Sequence, residues 1–196
     1  MDKIKILKTT KCDTRAIDDN FSKQDVLSDS IKHILAVMAV ARAVSYTFTS
    51  NCTKHDWSKV NEPYLTQFYE ALKTKKTGKD FKELEWYQNH INLERHHPND
   101  RCADDINLLD ILEMCIDCVT AGLARTGTVY PIEISNEVLQ KAVANTTKLL
   151  QNSIVVTDKP EDEDAIIEGA LGGKIAVETD EDEDIVDYEK TDGTGN

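Results

Sequence analysis

The stretch DINLLDILEMCIDCVTAGL, residues 105–123, is the most apolar helical pattern in the chain. Apolar side chains stand on every side of the predicted helix, so we expect it to be buried all round in a protein core. Three acids interrupt it, namely Asp110, Glu113 and Asp117. At about 100° per residue, Asp110 and Asp117 lie about 20° apart around the helix and Glu113 about 60° to the side, so the three form one acidic stripe.

Other helical patterns flank this one and predict an all-α bundle. A helix capped by Ser28 or Asp29 is expected to run to about Thr47, and its interior, residues 34–41, is apolar on every side. Further helices are predicted from Pro63, from Asp80 into Arg95-His96-His97 with a stop at Pro98, and from Ser135 to about Asn152. Lys3–Leu7 alternates like a short edge strand. The predicted parts are an N-terminal extension over residues 1–27, a helical domain over 28–157 and an acidic, flexible C-terminal tail over 158–196.

The net charge of −13 is concentrated at the C-terminal end. Residues 158–196 carry 15 acidic and three basic residues, whereas the rest of the chain carries 21 acidic and 20 basic residues. A nearly neutral body has no general basic field for a phosphate backbone, so non-specific nucleic-acid binding is not expected. The acidic segment is interpreted as a solvated tail whose self-repulsion prevents compact packing. Docking of a basic partner, or mimicry of a nucleic acid, is the alternative.

Several features are typical of a protein of the cytoplasm. No apolar run approaches the roughly 18 to 20 residues of a membrane-spanning helix, and no signal-peptide pattern is seen, so no membrane partner is expected. The odd number of cysteines, five, fits reduced thiols. Cys115 and Cys118 form a single CxxC in a helical pattern, which favours small buried hydrophobic residues over a zinc or redox site.

Ionisable residues in segments that should be buried predict a metal site. His33 stands one turn into the first apolar helix, and His55-Asp56 lies where a turn meets a helix. Acids in a row repel one another unless a cation lies between them, and histidines are the obvious co-ligands. A mixed set of imidazoles and carboxylates suits Mn²⁺, Fe²⁺, Co²⁺, Ni²⁺ or Zn²⁺, with Mg²⁺ as a further candidate. Each residue alone is more typical of a satisfied core histidine or a solvent-facing acid, and it is their joint appearance that favours a metal.

The order of these residues resembles that of the HD superfamily, which comprises all-helical metal-dependent phosphohydrolases. The string His55-Asp56-Trp57-Ser58-Lys59 resembles the HD motif with its frequent following lysine. From about Asp13 to Val155, the chain is also similar to an uncharacterised HD-like family found largely in bacteriophages. That similarity is carried by Asp13-Thr14-Arg15, Glu85-Trp86-Tyr87, Glu94-Arg95-His96-His97 and Leu109-Asp110-Ile111-Leu112-Glu113-Met114. The implied fold is an HD-type helical bundle.

The resemblance also implies ligands for one or two divalent ions. For the first ion it implies four ligands: His33, His55, Asp56 and Asp117. Asp110 shares the helical face of Asp117 and is the alternative fourth ligand. His90, His96 and His97 resemble the extra histidines that hold a second ion in some HD proteins. A cap at a helix C-terminus, where cationic histidines are favourable, is the alternative for His96 and His97.

The implied reaction is hydrolysis of a small phosphorylated substrate, such as a nucleotide, by a metal-bound water. Glu113 is the candidate general base or ligand-orienting group, and Lys59 is a candidate catalytic cation. Arg95 and Arg125 are candidate substrate-binding residues, because arginine holds phosphate through paired hydrogen bonds. The alternative is a non-catalytic, HD-like metal-binding or scaffold protein of a phage that acts through protein partners in the host cytoplasm. Both the phosphohydrolase and the scaffold interpretation allow assembly into a homo-oligomer.

Overall fold

The computed structural model describes residues 2–9, 12–13, 16–17, 20–98, 103–129, 131–173, 175–178 and 185–186. The protein is mostly helical, as predicted. The helices are α1 (Lys23–Cys52), α2 (Trp57–Val60), α3 (Tyr64–Lys73), α4 (Gly78–Lys82), α5 (Glu85–Leu93), α6 (Leu108–Thr126), α7 (Asn136–Ser153) and α8 (Glu163–Leu171). The strands are β1 (Lys3–Leu7), β2 (Cys12–Asp13), β3 (Ala16–Ile17), β4 (Ile154–Thr157), β5 (Ile175–Glu178) and β6 (Ile185–Val186).

The chain divides into two compact units. The first comprises Met1–Thr49 together with Leu149–Asn196, and the second comprises Ser50–Lys148. The two ends of the chain belong to one unit because β1, near the N-terminus, pairs with β4 and β5. These units therefore cut across the division predicted at residues 27 and 157.

A small sheet lies in the first unit, with the strand order β4-β1-β5-β6. β1 runs parallel to β4, with Ile4 opposite Ile154 and Leu7 opposite Thr157, and it runs antiparallel to β5. The prediction of an edge strand is therefore wrong, because β1 has a neighbour on each side. Ile4 is fully buried, as expected of an inner strand.

The predicted solvated tail is wrong for residues 160–171, which fold into a 3₁₀ turn and α8. Ile166 and Ala170 are each 1% exposed and pack in the core of the first unit. Glu163 and Asp164 lie in the first turn of α8, where the helix dipole stabilises negative charge. The acidic run therefore begins a helix here instead of only repelling its neighbours. Beyond α8, the predicted tail lies outside the described residues apart from residues 172–173, β5 and β6.

The acidic stripe lies on α6, the longest helix of the second unit. A core of Ile106, Ile111, Val138 and Ala142 packs α6 against α7. α6 begins with a capping box, in which the Asn107 side chain accepts from the backbone N–H of Leu109. The Asp110 carboxylate accepts from the backbone N–H of Asn107 at 2.9 Å. Because these bonds satisfy free N–H groups of the first turn, they set the start of the helix.

α1 and α6 each keep an exposed apolar face, so the prediction that both are buried all round is wrong. Ile34 and Val37 on α1 are 56% and 55% exposed, and Ile116 and Leu123 on α6 are 44% and 55% exposed. Cys118 is exposed as well, contrary to its interpretation as a buried residue. The physical reason is that each helix packs on one side only, so the apolar residues of its other side stay exposed.

The start of α1 also differs from the prediction. The helix begins at Lys23, five residues before Ser28, because Ser22 forms a reciprocal cap with Asp25. Ser22 Oγ accepts from the backbone N–H of Asp25 at 3.2 Å, and the Asp25 carboxylate accepts from the backbone N–H of Ser22 at 2.8 Å.

One stretch in the described part of the chain, Lys23–Val60, is long and apolar enough to cross a membrane by length and composition alone. Of its most apolar window, 17% is buried. The prediction that no such stretch exists is thereby corrected. A core helix of a soluble protein and a signal sequence pass the same test, so the cytoplasmic location stays a prediction.

Candidate metal centre

Histidines and acids from three parts of the second unit meet in one cluster. The turn before α2 supplies His55 and Asp56, α5 and the loop after it supply His90, His96 and His97, and α6 supplies Glu113 and Asp117. Each of these side chains lies within 3.6 Å of another member.

The chain brings the three later histidines together by leaving the helix. The prediction of one helix from Asp80 into His97 is wrong, because Leu84 and Glu94 take up extended backbone angles and confine α5 to Glu85–Leu93. His96 and His97 therefore lie in a loop, and they do not form the helix C-terminal cap considered as their alternative. The loop turns back so that Nε2 of His97 lies 2.9 Å from Nε2 of His90.

The two carboxylate oxygens of Asp56 face different members of the cluster: Oδ2 lies 3.5 Å from Nε2 of His55, and Oδ1 faces His90 and His96. Asp56 is the N-cap residue of α2 and has a left-handed backbone, with φ of 54°, which Asp tolerates better than most residues. Oδ2 accepts from Nζ of Lys59 at 2.6 Å, whereas the buried Oδ1 has no hydrogen-bond partner among the described residues. Burial acts to raise the pKa of Asp56, but the hydrogen bond and charge of Lys59 outweigh it, and the pKa is lowered. The carboxylate is thus ionised, with one oxygen unpaired.

Two buried imidazoles face this unpaired oxygen. Nε2 of His90 and Nε2 of His96 each lie 3.6 Å from Oδ1 of Asp56. Nε2 of His96 is buried and, within the described part of the chain, also lacks a hydrogen-bond partner. Burial, followed by the nearby charge of His97, lowers the pKa of His90 to about 4 and that of His96 to about 3. Both rings are therefore neutral at pH 7, and a neutral imidazole is the form that binds metals.

His55 connects the cluster to the acidic stripe of α6. Its Nδ1 lies 2.9 Å from Oε1 of Glu113, and its Nε2 lies 3.5 Å from Oδ1 of Asp117. Burial acts to lower the pKa of His55, but the hydrogen bond to Glu113 and the charges of Asp56 and Asp117 outweigh it, and the pKa is raised. The same Glu113 oxygen lies 3.5 Å from Nδ1 of His96. One carboxylate thus faces the Nδ1 atoms of two histidines.

Two groups in the described part of the chain could hold a metal ion: His55, Asp56 and His96, and His90, His96 and His97. In each group the three ligand atoms lie within 4.8 Å of one another. Neighbouring ligand atoms on a tetrahedral zinc ion lie about 3.3 Å apart, given bonds of about 2.05 Å. The 3.6 Å between Asp56 Oδ1 and Nε2 of His96 is close to that separation. A bound ion would also satisfy both of these unpaired atoms, so the residues fit a divalent metal.

Asp110, the alternative ligand to Asp117, is occupied elsewhere. Its carboxylate is buried, caps α6 and accepts two hydrogen bonds of 2.8 Å from Arg95. Arg95 also donates to Asp105 at 2.9 Å, and these acids raise the pKa of its guanidinium, with the hydrogen bond to Asp110 as the largest cause. Asp110 and Arg95 are therefore hydrogen-bonded to each other in the structure.

Two further residues predicted from the sequence have other surroundings. His33 lies on α1 in the first unit, has an exposed side chain and belongs to neither group of candidate ligands. Arg125 is exposed in the last turn of α6 and lines a cavity of about 360 Å³ together with Met114 and Cys118. Their roles as metal ligand and phosphate-binding residue stay predictions.

A cavity of about 510 Å³ opens beside the cluster, with Glu113 in its wall. Lys54 and Trp57 also line it, and Trp57 is 45% exposed. A volume of this size is in the range of small-molecule sites. Sequence reasoning assigned no role to Lys54, Trp57, Ser58 or Glu94. Trp57, Ser58 and Glu94 lie within the motifs that carry the family resemblance, and that position is the sequence feature that could have indicated a role for them.

Fold and cluster together describe a mostly helical protein with a buried set of histidines and carboxylates that could bind a metal. The chain belongs to the family described as Family of unknown function (DUF5662), whose model matches residues 22–156. The matched range includes every residue of the cluster. No curated protein and no solved structure matches the chain.

Proposed function

We propose that this protein is a metal-dependent phosphohydrolase that acts on a small phosphate ester such as a nucleotide. The observation that carries the proposal is the pair of unpaired buried atoms, Oδ1 of Asp56 and Nε2 of His96, 3.6 Å apart. Leaving such atoms unsatisfied costs about 1 to 3 kcal/mol each, and a divalent ion would remove that cost. The mixed nitrogen and oxygen donors favour Mn²⁺, Fe²⁺, Co²⁺, Ni²⁺ or Zn²⁺ over Mg²⁺, which prefers oxygen ligands.

The residues around the ion have distinct roles in this proposal. His55, Asp56 and His96 would hold the first ion, with Asp117 beside them, and the three later histidines would hold a second. A bound divalent ion lowers the pKa of a water molecule and neutralises charge on a phosphate oxygen. Glu113 faces the Nδ1 atoms of His55 and His96, so its role is to orient both rings with Nε2 toward the ion. Lys59 holds Oδ2 of Asp56 and thereby directs Oδ1 toward the histidines.

The neighbouring cavity supplies the substrate side of the proposal. Lys54 offers a positive charge for phosphate, and the exposed face of Trp57 offers a surface for an aromatic base. Arg95 also lines this cavity, but its guanidinium is engaged with Asp105 and Asp110. We therefore assign phosphate binding to Lys54 before Arg95. We also propose a cytoplasmic location for the reaction.

The test begins with the full chain purified without chelator. We expect bound transition metal by elemental analysis, and release of phosphate from at least one member of a nucleotide panel in the presence of Mn²⁺, Co²⁺ or Mg²⁺. Asp56→Asn and His96→Gln should lose both properties. Asp104→Asn, which changes a fully exposed acid of the same unit, is the matched control and should retain both.

Three outcomes separate the candidate functions. Metal binding with hydrolysis that depends on Asp56 supports the phosphohydrolase. Metal binding without hydrolysis across the panel supports the non-catalytic metal-binding alternative. Neither metal nor hydrolysis in the wild-type protein overturns the proposal.

A further inference from the structure

A buried chain of hydrogen bonds stands directly behind His90. Oγ of Ser58 lies 2.7 Å from Nδ1 of His90 and 2.8 Å from Oε1 of Glu94. The backbone N–H of Ser58 also donates to Oε1 of Glu94, at 2.9 Å. Ser58 is fully buried, and His90 and Glu94 are 2% and 7% exposed. Ser58 is thus closed off from solvent and unsuited to act as a nucleophile.

The donors and acceptors in this chain are determined by elementary chemistry. A backbone N–H can only donate, so Oε1 of Glu94 is an acceptor. The Ser58 hydroxyl, which has a single hydrogen, donates it to the same carboxylate oxygen. The Ser58 oxygen can then only accept from the histidine, so Nδ1 of His90 carries a hydrogen. In a neutral imidazole the other nitrogen, Nε2, consequently carries a lone pair and no hydrogen.

The lone pair on Nε2 points to the candidate metal centre. Nε2 of His90 lies 3.6 Å from Oδ1 of Asp56 and 2.9 Å from Nε2 of His97. Because His90 can only accept at Nε2, the hydrogen between the two rings belongs to His97 in the metal-free protein, and an ion bound to Nε2 of His90 would replace this hydrogen bond. The ring plane is held independently by Trp86, which stacks on His90 with centroids 4.9 Å apart and planes 12° apart.

We propose that Glu94 and Ser58 form a positioning relay, which holds His90 in its Nδ1–H tautomer and presents Nε2 to the metal centre. The relay rests on the proposed function only for the binding of an ion, since the tautomer is a property of the metal-free protein. Ser58 and Glu94 are positioning residues in this scheme, because they act on the ion through His90, although Glu94 also lines the neighbouring cavity. Buried partners that orient ligand histidines in this way commonly contribute about 10-fold to 100-fold in metal affinity.

The test uses the full chain, labelled with ¹⁵N and stripped of metal, in long-range ¹H–¹⁵N spectra at pH 7.5. We expect His90, assigned by loss of its signals in His90→Gln, to show a protonated Nδ1 and an unprotonated Nε2. Ser58→Ala should lose this preference and bind Zn²⁺ about 10-fold or more weakly by calorimetry. Glu94→Gln keeps an acceptor oxygen and should retain the tautomer, whereas Glu94→Leu should not.

The contrary results are specific. A wild-type His90 that carries its hydrogen on Nε2, or a Ser58→Ala protein with an unchanged tautomer, overturns the relay. Circular dichroism of each variant checks that it is folded, and Glu94→Gln supplies a second variant that we expect to fold. If the wild-type protein shows the expected tautomer but binds no Zn²⁺, Mn²⁺ or Co²⁺, the relay stands and the proposed function falls.

Discussion

Arg95 and Asp110 are joined by two parallel hydrogen bonds of 2.8 Å, from Nε and Nη2 to the two carboxylate oxygens. Arg95 stands next to His96 in the loop after α5, and Asp110 lies in the first turn of α6. The pair therefore ties the loop that carries two candidate ligands to the helix that carries Glu113.

Breaking this pair should destabilise the protein. Arg95→Leu leaves the buried Asp110 carboxylate without its strongest donors, and we expect the free energy of unfolding in urea to fall by about 2 kcal/mol. The matched control is Lys73→Leu, which removes an exposed ion pair with Glu70 and should change stability by less than about 1 kcal/mol. Equal stability of the two variants would show that the paired hydrogen bonds between Arg95 and Asp110 have no structural role.

Acid should destabilise the metal-free protein. His90 and His96 have pKa values lowered to about 4 and about 3, so below pH 6.5 the unfolded chain binds protons that the folded chain does not. The free energy of unfolding should therefore fall as the pH drops from 6.5 toward 4, by up to about 1.4 kcal/mol per pH unit for each histidine. The pKa of His55 is raised, so this residue stabilises the folded chain below pH 6.5, and its contribution is lost as the pH rises above 6.5.

Urea unfolding at several pH values checks this prediction. In His96→Gln, the slope of the free energy of unfolding against pH between pH 4 and 6.5 should decrease by about 1.4 kcal/mol per pH unit, which corresponds to about one proton. A slope identical to that of the wild-type protein would mean that His96 is not held neutral by burial.

In the proposed function, metal ions bind the assembled cluster and not the separated ligands, so we expect them to stabilise the folded chain. At a free concentration 100 times Kd, the expected gain is about 2.7 kcal/mol, and EDTA should reverse it. Differential scanning calorimetry with Zn²⁺ or Mn²⁺ measures the rise in Tm. Asp56→Asn should show little rise, and a full rise in that variant would place the metal elsewhere.

The packing of α8 provides a matched pair of substitutions in the first unit. Ile166 is 1% exposed, whereas Leu171 on the same helix is 67% exposed. Ile166→Ala should lower the free energy of unfolding by about 2 to 4 kcal/mol, because it removes buried methyl groups and leaves a cavity. Leu171→Ala should change it by less than about 0.5 kcal/mol. If both substitutions prove neutral in chemical denaturation, residues 160–171 behave as the solvated tail predicted from their charge.

Helical periodicity and residue type predicted much of the second unit from the sequence alone. They indicated a helical protein, the acidic stripe of α6 and a site that includes His55 and Asp56, because burying an ionisable side chain is costly and such a residue normally has a partner. His90, His96 and His97 were expected only from the family resemblance, and His33, which was also expected as a ligand, belongs to neither candidate group. Periodicity and residue type could not assign the partners. Asp110 and Asp117 share a helical face, but two turns along the axis separate an Asp held by Arg95 from an Asp beside His55.

Contacts between distant parts of the chain required the tertiary structure. β1 became an inner strand because it pairs with residues about 150 to 175 positions later in the chain, which local pattern does not reveal. His97 reaches His90 because the chain leaves the helix at Glu94, whose side chain accepts a hydrogen bond from Ser58. The sequence by itself thus determined which groups must find partners, through the cost of burying charge. Only the folded chain decided which partner each one has, because hydrogen bonds and metal ligation depend on distances of a few ångströms.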